Sequence, residues 1–224
     1  MPGRYYSRRL TLTSILFFPL IQVTRYEHPE FTSNTYLIQI DDHEDAWLID
    51  AGFVDEVLQI PGIKVQGVFL THDHYDHIYG LNNLIIRFPE ITIYGSKYTL
   101  DCIKDARKNL SFYRQMPVEV LHLNVHVLQD GDLIFLHHTE QILCMETPGH
   151  NPGCMSYIID KLLFTGDSFI PGHPVITKLK GGNKELNAIS LKKIEGLIVQ
   201  GMHIYPGHKE IYSNPELHQL KPLE

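Results

Sequence analysis

The chain has 224 residues, 43% apolar and 20% charged, which is ordinary globular usage and excludes disordered, collagen-like and fibrous architectures. With 19 basic and 26 acidic residues its formal charge is −7, so an electrostatic nucleic-acid partner is not expected. One count stands out: 14 histidines.

In chain order, Arg4, Arg8 and Arg9 precede an apolar stretch over 15–21 that loosely imitates a secretion signal. Pro19 interrupts that stretch, no small-residue cleavage site follows, and it runs into strand-like sequence at 22–26, so a basic leader over 1–14 before a first buried strand is expected. Segments 35–40 and 46–50 read as a hairpin around an acidic turn, and 65–70 is a β-branched run ending at a histidine cluster. Helices are expected over 81–87 and 97–110, the second burying Leu100, Ile103 and Leu110, with a short strand at 91–94 between them. Strands follow at 118–123, 125–128, 133–136, 141–146, 155–159 and 162–165. Asn183 is placed to cap a helix over 185–199 with Leu186, Ile189, Ile194 and Leu197 buried, and 202–205 is the last strand. No linker or repeat divides the chain, so a single domain over 1–224 is expected, of α+β class, with mixed sheets and helices on their outer faces. Nothing approaches the length of a membrane span, and Cys102, Cys144 and Cys154 are too few and too scattered for a disulfide framework. A cytoplasmic protein without a membrane partner is the expectation.

Chemistry concentrates at strand ends. Thr71-His72-Asp73-His74-Tyr75-Asp76-His77 follows an apolar strand, and spacing by two puts His72 and His74 on one side of an extended segment. In a turn Asp76 and His77 are expected to diverge, so the cluster can serve two neighbouring ions, His72 and His74 facing one and Asp76 and His77 the other. Imidazole and carboxylate are the donors that zinc and similar divalent ions prefer. Three more strands end in Gly149-His150, Gly166-Asp167 and Gly207-His208, each glycine letting the backbone approach a crowded centre.

This set, His-x-His-x-Asp-His followed by Gly-His, Gly-Asp and a late Gly-His, resembles the ligand pattern of the metallo-β-lactamase superfamily, and its glyoxalase II-type (hydroxyacylglutathione hydrolase-like) branch in particular. The resemblance implies an αββα sandwich with metals in a groove between two mixed sheets. Position by position, His72, His74 and His150 would hold a first metal, Asp76, His77 and His208 a second, and Asp167 would bridge them. Two divalent ions are implied, zinc first, with iron or manganese as alternatives. Asp167 stands where class B1 and B2 β-lactamases carry a Cys, and His74 where flavodiiron oxidoreductases carry a Glu, so neither of those activities is expected.

Two divalent ions sharing a water lower its pKa towards neutrality. The expected activity is therefore hydrolysis of a small-molecule thioester, or second an ester or lactone, by that hydroxide, with Asp76 orienting it and moving its proton. The alternative is a persulfide dioxygenase of the same superfamily, with one iron on His72, His150 and Asp167. Among other residues, Lys178, Lys180 and Lys184 read as a solvated basic loop, Tyr75 and Tyr79 as packing or entrance residues, and Cys154 as a buried core residue. His122, His126, His137 and His138 read as structural or exposed. The oligomeric state is not legible.

Overall fold

The structure, a computed structural model, describes residues 20–41, 44–137 and 140–213. The basic leader and most of the apolar stretch after it lie outside the described residues. Eleven strands and five helices appear among the described residues, in the order β1 (Ile21–Glu27), β2 (Asn34–Ile40), β3 (Asp45–Ile49), α1 (Asp55–Leu58), β4 (Lys64–Phe69), α2 (Tyr75–Ile78), α3 (Leu81–Arg87), β5 (Thr92–Ser96), α4 (Lys97–Cys102), β6 (Val125–Leu128), β7 (Leu133–His137), β8 (Glu140–Glu146), β9 (Met155–Ile159), β10 (Leu162–Gly166), α5 (Lys184–Ile198) and β11 (His203–Pro206).

Two mixed sheets result, one in the order β1-β2-β3-β4-β5-β6 and the other in the order β11-β10-β9-β8-β7. Alternation along the strands makes the sandwich. Leu37, Leu48, Val68 and Leu70 face outwards and pack with Leu81 and Leu84 of α3 and Leu100 of α4. Tyr36, Ile38, Trp47, Ile49 and Phe69 face inwards, against Ile142, Met155, Tyr157 and Phe164 of the second sheet. On that sheet's far side Ile158, Leu163 and Ile204 take Ile194 and Ile198 of α5. The αββα layering therefore agrees with the expectation. Each buried Leu, Ile or Phe contributes about 1.5–3 kcal/mol, and all three clusters are built of such residues.

Several elements differ from expectation. The first strand, β1, is not buried: it is the sheet edge, and its side chains alternate between exposed and half-buried. The helix expected over 97–110 stops at Cys102, because side chains further on satisfy backbone groups in competition with the helix. Asp105 Oδ1 accepts from Arg107 N at 2.9 Å, Asn109 Oδ1 accepts from Ser111 N at 3.0 Å, and Leu110 turns to φ 67°. Segment 118–123 is no strand but a strap, pinned where Val118 N donates to Ser111 Oγ (2.8 Å) and Val120 N to Ile103 O (3.0 Å). Asn183 caps α5 as expected, accepting from Leu186 N at 2.9 Å. The buried face of that helix is Ser190, Ile194 and Ile198, while Leu186 and Ile189 are exposed. No helix among the described residues is long and apolar enough to cross a membrane. All three cysteines are free and buried.

Candidate metal centre

The site forms where strand ends of both sheets meet. Parallel pairing of β3 with β4 brings Asp50 beside Thr71, and Asp50 N donates to Phe69 O at 2.9 Å. Asp50 then organises the histidine cluster: its Oδ1 accepts from Thr71 N (2.7 Å), and its Oδ2 accepts from Thr71 Oγ1 (2.8 Å) and lies 2.8 Å from His77 Nδ1. Asp50 holds φ 59°, a strained value for a residue with a side chain. Two bonds tie the cluster to the second sheet, from Met155 N to Thr71 O at 2.8 Å and from Tyr157 OH to Leu70 O at 2.6 Å.

Six of the seven predicted residues fall into two three-donor groups, His72, His74 and His150, and Asp76, His77 and His208, and a further group, His72, His77 and Asp167, overlaps both, each with its ligand atoms within 4.8 Å of one another. The seventh lies between them: Asp167 Oδ2 is 3.6 Å from His150 Nε2, and Oδ1 is 3.4 Å from His77 Nε2 and 3.6 Å from His208 Nε2. Within the first group His150 Nε2 and His74 Nδ1 stand 3.0 Å apart. In the second, Asp76 Oδ2 is 3.4 Å from His208 Nε2 and 3.8 Å from His77 Nε2. Asp76 and His77 share one donor group, 3.8 Å apart, instead of diverging, although both lie in the one-turn helix α2. Asp73 is not part of either group: it alternates away from His72 and His74, and burial pushes its carboxyl up to about 7.

The donors fit divalent ions. His72 Nε2, His77 Nε2 and Asp167 Oδ1 are buried without a hydrogen-bond partner, an arrangement that costs free energy unless a cation takes those lone pairs. The opposite ring nitrogens are held in place, as metal-binding imidazoles require. His77 Nδ1 faces Asp50, His150 Nδ1 donates to Ile176 O at 2.8 Å, His72 Nδ1 lies 3.0 Å from Thr71 Oγ1, and His208 Nδ1 lies 3.3 Å from Thr32 Oγ1. Electrostatics sort the groups. Burial, then the neighbouring imidazoles, lower His72 well below its ordinary value, and His74 to about 4, so both are neutral donors at pH 7. Burial also opposes the charged form of His77, but Asp76, Asp50 and Asp167 outweigh it and hold that imidazole well above the usual range. For Asp167, burial raises the carboxyl and the surrounding histidines, His77 foremost, bring it well below the carboxylate range.

Close approach depends on two glycines. A Cβ on Gly166, at φ 50°, would lie 2.6 Å from the Thr71 side chain. One on Gly207 would run into Asp167 Oδ1 and sit 2.9 Å from His77 Cε1.

A cleft of about 380 Å³ opens onto His150, Asp167 and His208. The larger cleft, about 530 Å³ between Lys97, Val127, Asp130 and Glu146, contains none of the seven residues. Lys178, Lys180 and Lys184 are exposed and line neither cleft; Lys209 lines the smaller one. Tyr75 and Tyr79 pack around Phe31, at 4.9 and 5.5 Å between ring centroids, and Arg114 covers Tyr75 at 4.0 Å. Burial raises the Cys154 thiol, so it is an inert core residue. His122 Nε2 lies 2.7 Å from Ile91 O, and His126 tilts against Tyr94 at 5.4 Å, both away from the site. His138 lies outside the described residues. Asp50 and Lys209 are the site residues that sequence reading missed. The local signal for Asp50 was only an aspartate closing a strand.

Mixed sheets sandwiched between helices, with histidines and aspartates gathered at the strand ends, define an αββα protein with a metal-binding groove. The family model for the metallo-beta-lactamase superfamily matches residues 28–200, and the chain belongs to that superfamily. It is 30% identical to the hydroxyacylglutathione hydrolase of Buchnera aphidicola subsp. Baizongia pistaciae (strain Bp) over 186 residues, 82% of this chain and 65% of that protein. It is 30% identical to the hydroxyacylglutathione hydrolase of Salmonella typhi over 147 residues, 64% of this chain and 50% of that protein. The chain thus spans about half to two thirds of the length of these curated relatives. Among solved structures, the BLEG-1 B3 metallo-beta-lactamase superposes with a TM-score of 0.74 at 22% identity, over 85% of this chain and 93% of that one. TTHA1623 in a di-iron-bound form gives 0.71 at 22%, over 92% and 99%. ETHE1 from Myxococcus xanthus gives 0.63 at 26%, over 84% and 76%.

Proposed function

We propose that this chain is a metal-dependent hydrolase of a small thioester, or second an ester or lactone, working with two divalent ions, zinc first. The observation that carries the reading is the position of Asp167, whose two carboxylate oxygens face different histidine groups at 3.4–3.6 Å. His72, His74 and His150 would hold one ion, and Asp76, His77 and His208 the other, with Asp167 between them. Bound there, the ions supply Lewis acidity and a water acidic enough to ionise near neutral pH.

The chain's own residues then position and protect the reaction. Asp76 Oδ2, 3.4 Å from His208 Nε2 and 3.8 Å from His77 Nε2, is the atom assigned to orient the nucleophile and accept its proton. Asp50, through His77 Nδ1, and the Ile176 carbonyl, through His150 Nδ1, fix the imidazole planes. The adjoining cleft receives the substrate carbonyl beside His150, Asp167 and His208. The hydrolase names of the curated relatives support this reading, and the three unpaired, buried cysteines fit a reducing cytoplasmic setting.

A second reading, one iron on His72, His150 and Asp167 and an oxidative reaction, rests on Asp167 Oδ2 lying 3.6 Å from His150 Nε2 and on the His72 and His150 ring centroids standing 5.0 Å apart. Elemental analysis of protein purified without added metal, followed by a thioester and lactone panel, separates them. Two zinc per chain with thioester turnover is the expected result. One iron per chain and no hydrolysis would overturn the dinuclear hydrolase.

A further inference from the structure

The cleft beside the metal-binding residues is chemically divided. Its polar lining is Thr32, His150, Asp167, His173, His208 and Lys209. Its apolar lining is Ile170, Pro174, Val175 and Ile176, which come from one stretch of chain that begins three residues after Asp167 and also contributes His173. That wall is fixed at both ends. His173 N donates to Ile170 O at 3.0 Å and closes a turn, and the Ile176 carbonyl takes the His150 Nδ1 proton at 2.8 Å. The backbone at Lys209 is fixed too, its carbonyl accepting from Arg25 Nη1 at 2.6 Å and Asn34 Nδ2 at 2.8 Å. Ile176 is nevertheless 57% exposed, while Ile170 and Val175 are half-buried. An apolar surface that the described residues leave partly uncovered, beside a polar centre, is what a ligand with a hydrocarbon end and a carbonyl end would bury.

We propose that the 170–176 wall is an acyl-binding subsite, and that the substrates are thioesters or esters of short to medium apolar acyl groups. The carbonyl lies at the His150–Asp167–His208 end and the hydrocarbon chain along Val175 and Ile176. This rests on the hydrolase reading and names its substrate class. The volume, about 380 Å³, is near the low end of ordinary ligand pockets (~300–1,000 Å³), so the cleft holds the acyl part and leaves the alcohol or thiol part outside.

Calorimetric titration of linear carboxylates from acetate to octanoate, the product acids, tests it on both metal-loaded and metal-stripped protein. Affinity is expected to rise about fourfold per added methylene until the wall is covered, then to level off. Val175→Thr, nearly isosteric, and Ile176→Thr, at an exposed position that tolerates change, are expected to cut the increment below about twofold per methylene. Circular dichroism melts verify that both variants fold. Affinity independent of chain length, or increments unchanged in both variants, would overturn the subsite. Equal hydrolysis of acetyl and octanoyl thioesters by metal-loaded protein overturns the subsite and leaves the hydrolase standing. Length-graded binding with no hydrolysis of any ester upholds the subsite and overturns the hydrolase.

Discussion

Asp50 Oδ2 sits 2.8 Å from His77 Nδ1, and both side chains are almost wholly excluded from solvent. The same carboxylate takes the backbone and hydroxyl protons of Thr71, so one residue at the end of β3 sets both the start of the histidine cluster and the ring plane of a ligand within it. Replacing Asp50 with Ala leaves buried donors without an acceptor, a change that costs about 3–5 kcal/mol for a buried pair. Asp50→Asn keeps the shape but loses the charge, and a 10–100-fold loss of metal affinity is expected from such an outer partner. Chelator competition measures the affinity and a thermal melt the stability; an Asn variant with unchanged affinity would show that His77 needs no orienting partner.

Asp76→Ala and Asp167→Ala should each abolish turnover, with different metal contents. Asp76 belongs to one donor group, so its loss should leave the other ion bound. Asp167 faces both groups, and its removal should lower both occupancies. Elemental analysis beside a thioester assay reads this directly, and full activity in either variant would refute the assignment. Metal binding should also raise the melting temperature of the native chain, by mass action.

Two glycine-to-alanine substitutions should move stability in opposite directions. At Gly207 the new methyl group collides with Asp167, so metal content and melting temperature should both fall. At Gly196, inside α5, a methyl group meets nothing within 4 Å. There the helical preference for Ala over Gly, about 0.5–1 kcal/mol, should raise the melting temperature by roughly 1–4 °C. Differential scanning calorimetry of the pair checks both signs.

Burial pushes the Cys102 thiol up to about 11 and that of Cys144 up to about 12. The folded state therefore resists forming thiolates that the unfolded chain forms near pH 8.5. This contribution to stability is intact below that pH and declines as pH rises towards 11. Unfolding in denaturant at pH 8, 9.5 and 10.5 should show falling stability, smaller in a Cys102→Ser, Cys144→Ser variant. At pH 8 a disulfide reagent should label the native chain far more slowly than the unfolded one, which should yield three thiols.

The seven candidate residues could be picked out of the sequence because their signal is local. His72, His74, Asp76 and His77 lie within six positions, and the other three each follow a glycine at the end of an apolar run. The sandwich was legible for a similar reason, since period-two alternation marks which residues face a neighbouring layer. Elements were misread where side chains overrule the pattern. Asp105 and Asn109 cap turns that the apolar spacing of Leu100, Ile103 and Leu110 could not reveal. The buried face of α5 was misjudged because Leu186 and Ile189 lie on its helical pattern yet are 40% and 57% exposed.

Residue order alone settles which donors exist and which strand each one follows. It says nothing about pairs made by strand pairing across the chain. Asp50 and His77 meet because β3 and β4 run parallel, and Asp76 lies 3.8 Å from His77 although adjacent helical side chains do not ordinarily face each other. Whether Lys209 or the lysines of 178–184 border the cleft depends on where a loop lies after the two sheets have packed. Donor chemistry is a property of side chains and survives in the linear chain. The 3.4–3.6 Å separations around Asp167 come from long-range packing of two sheets, and only the folded molecule contains them.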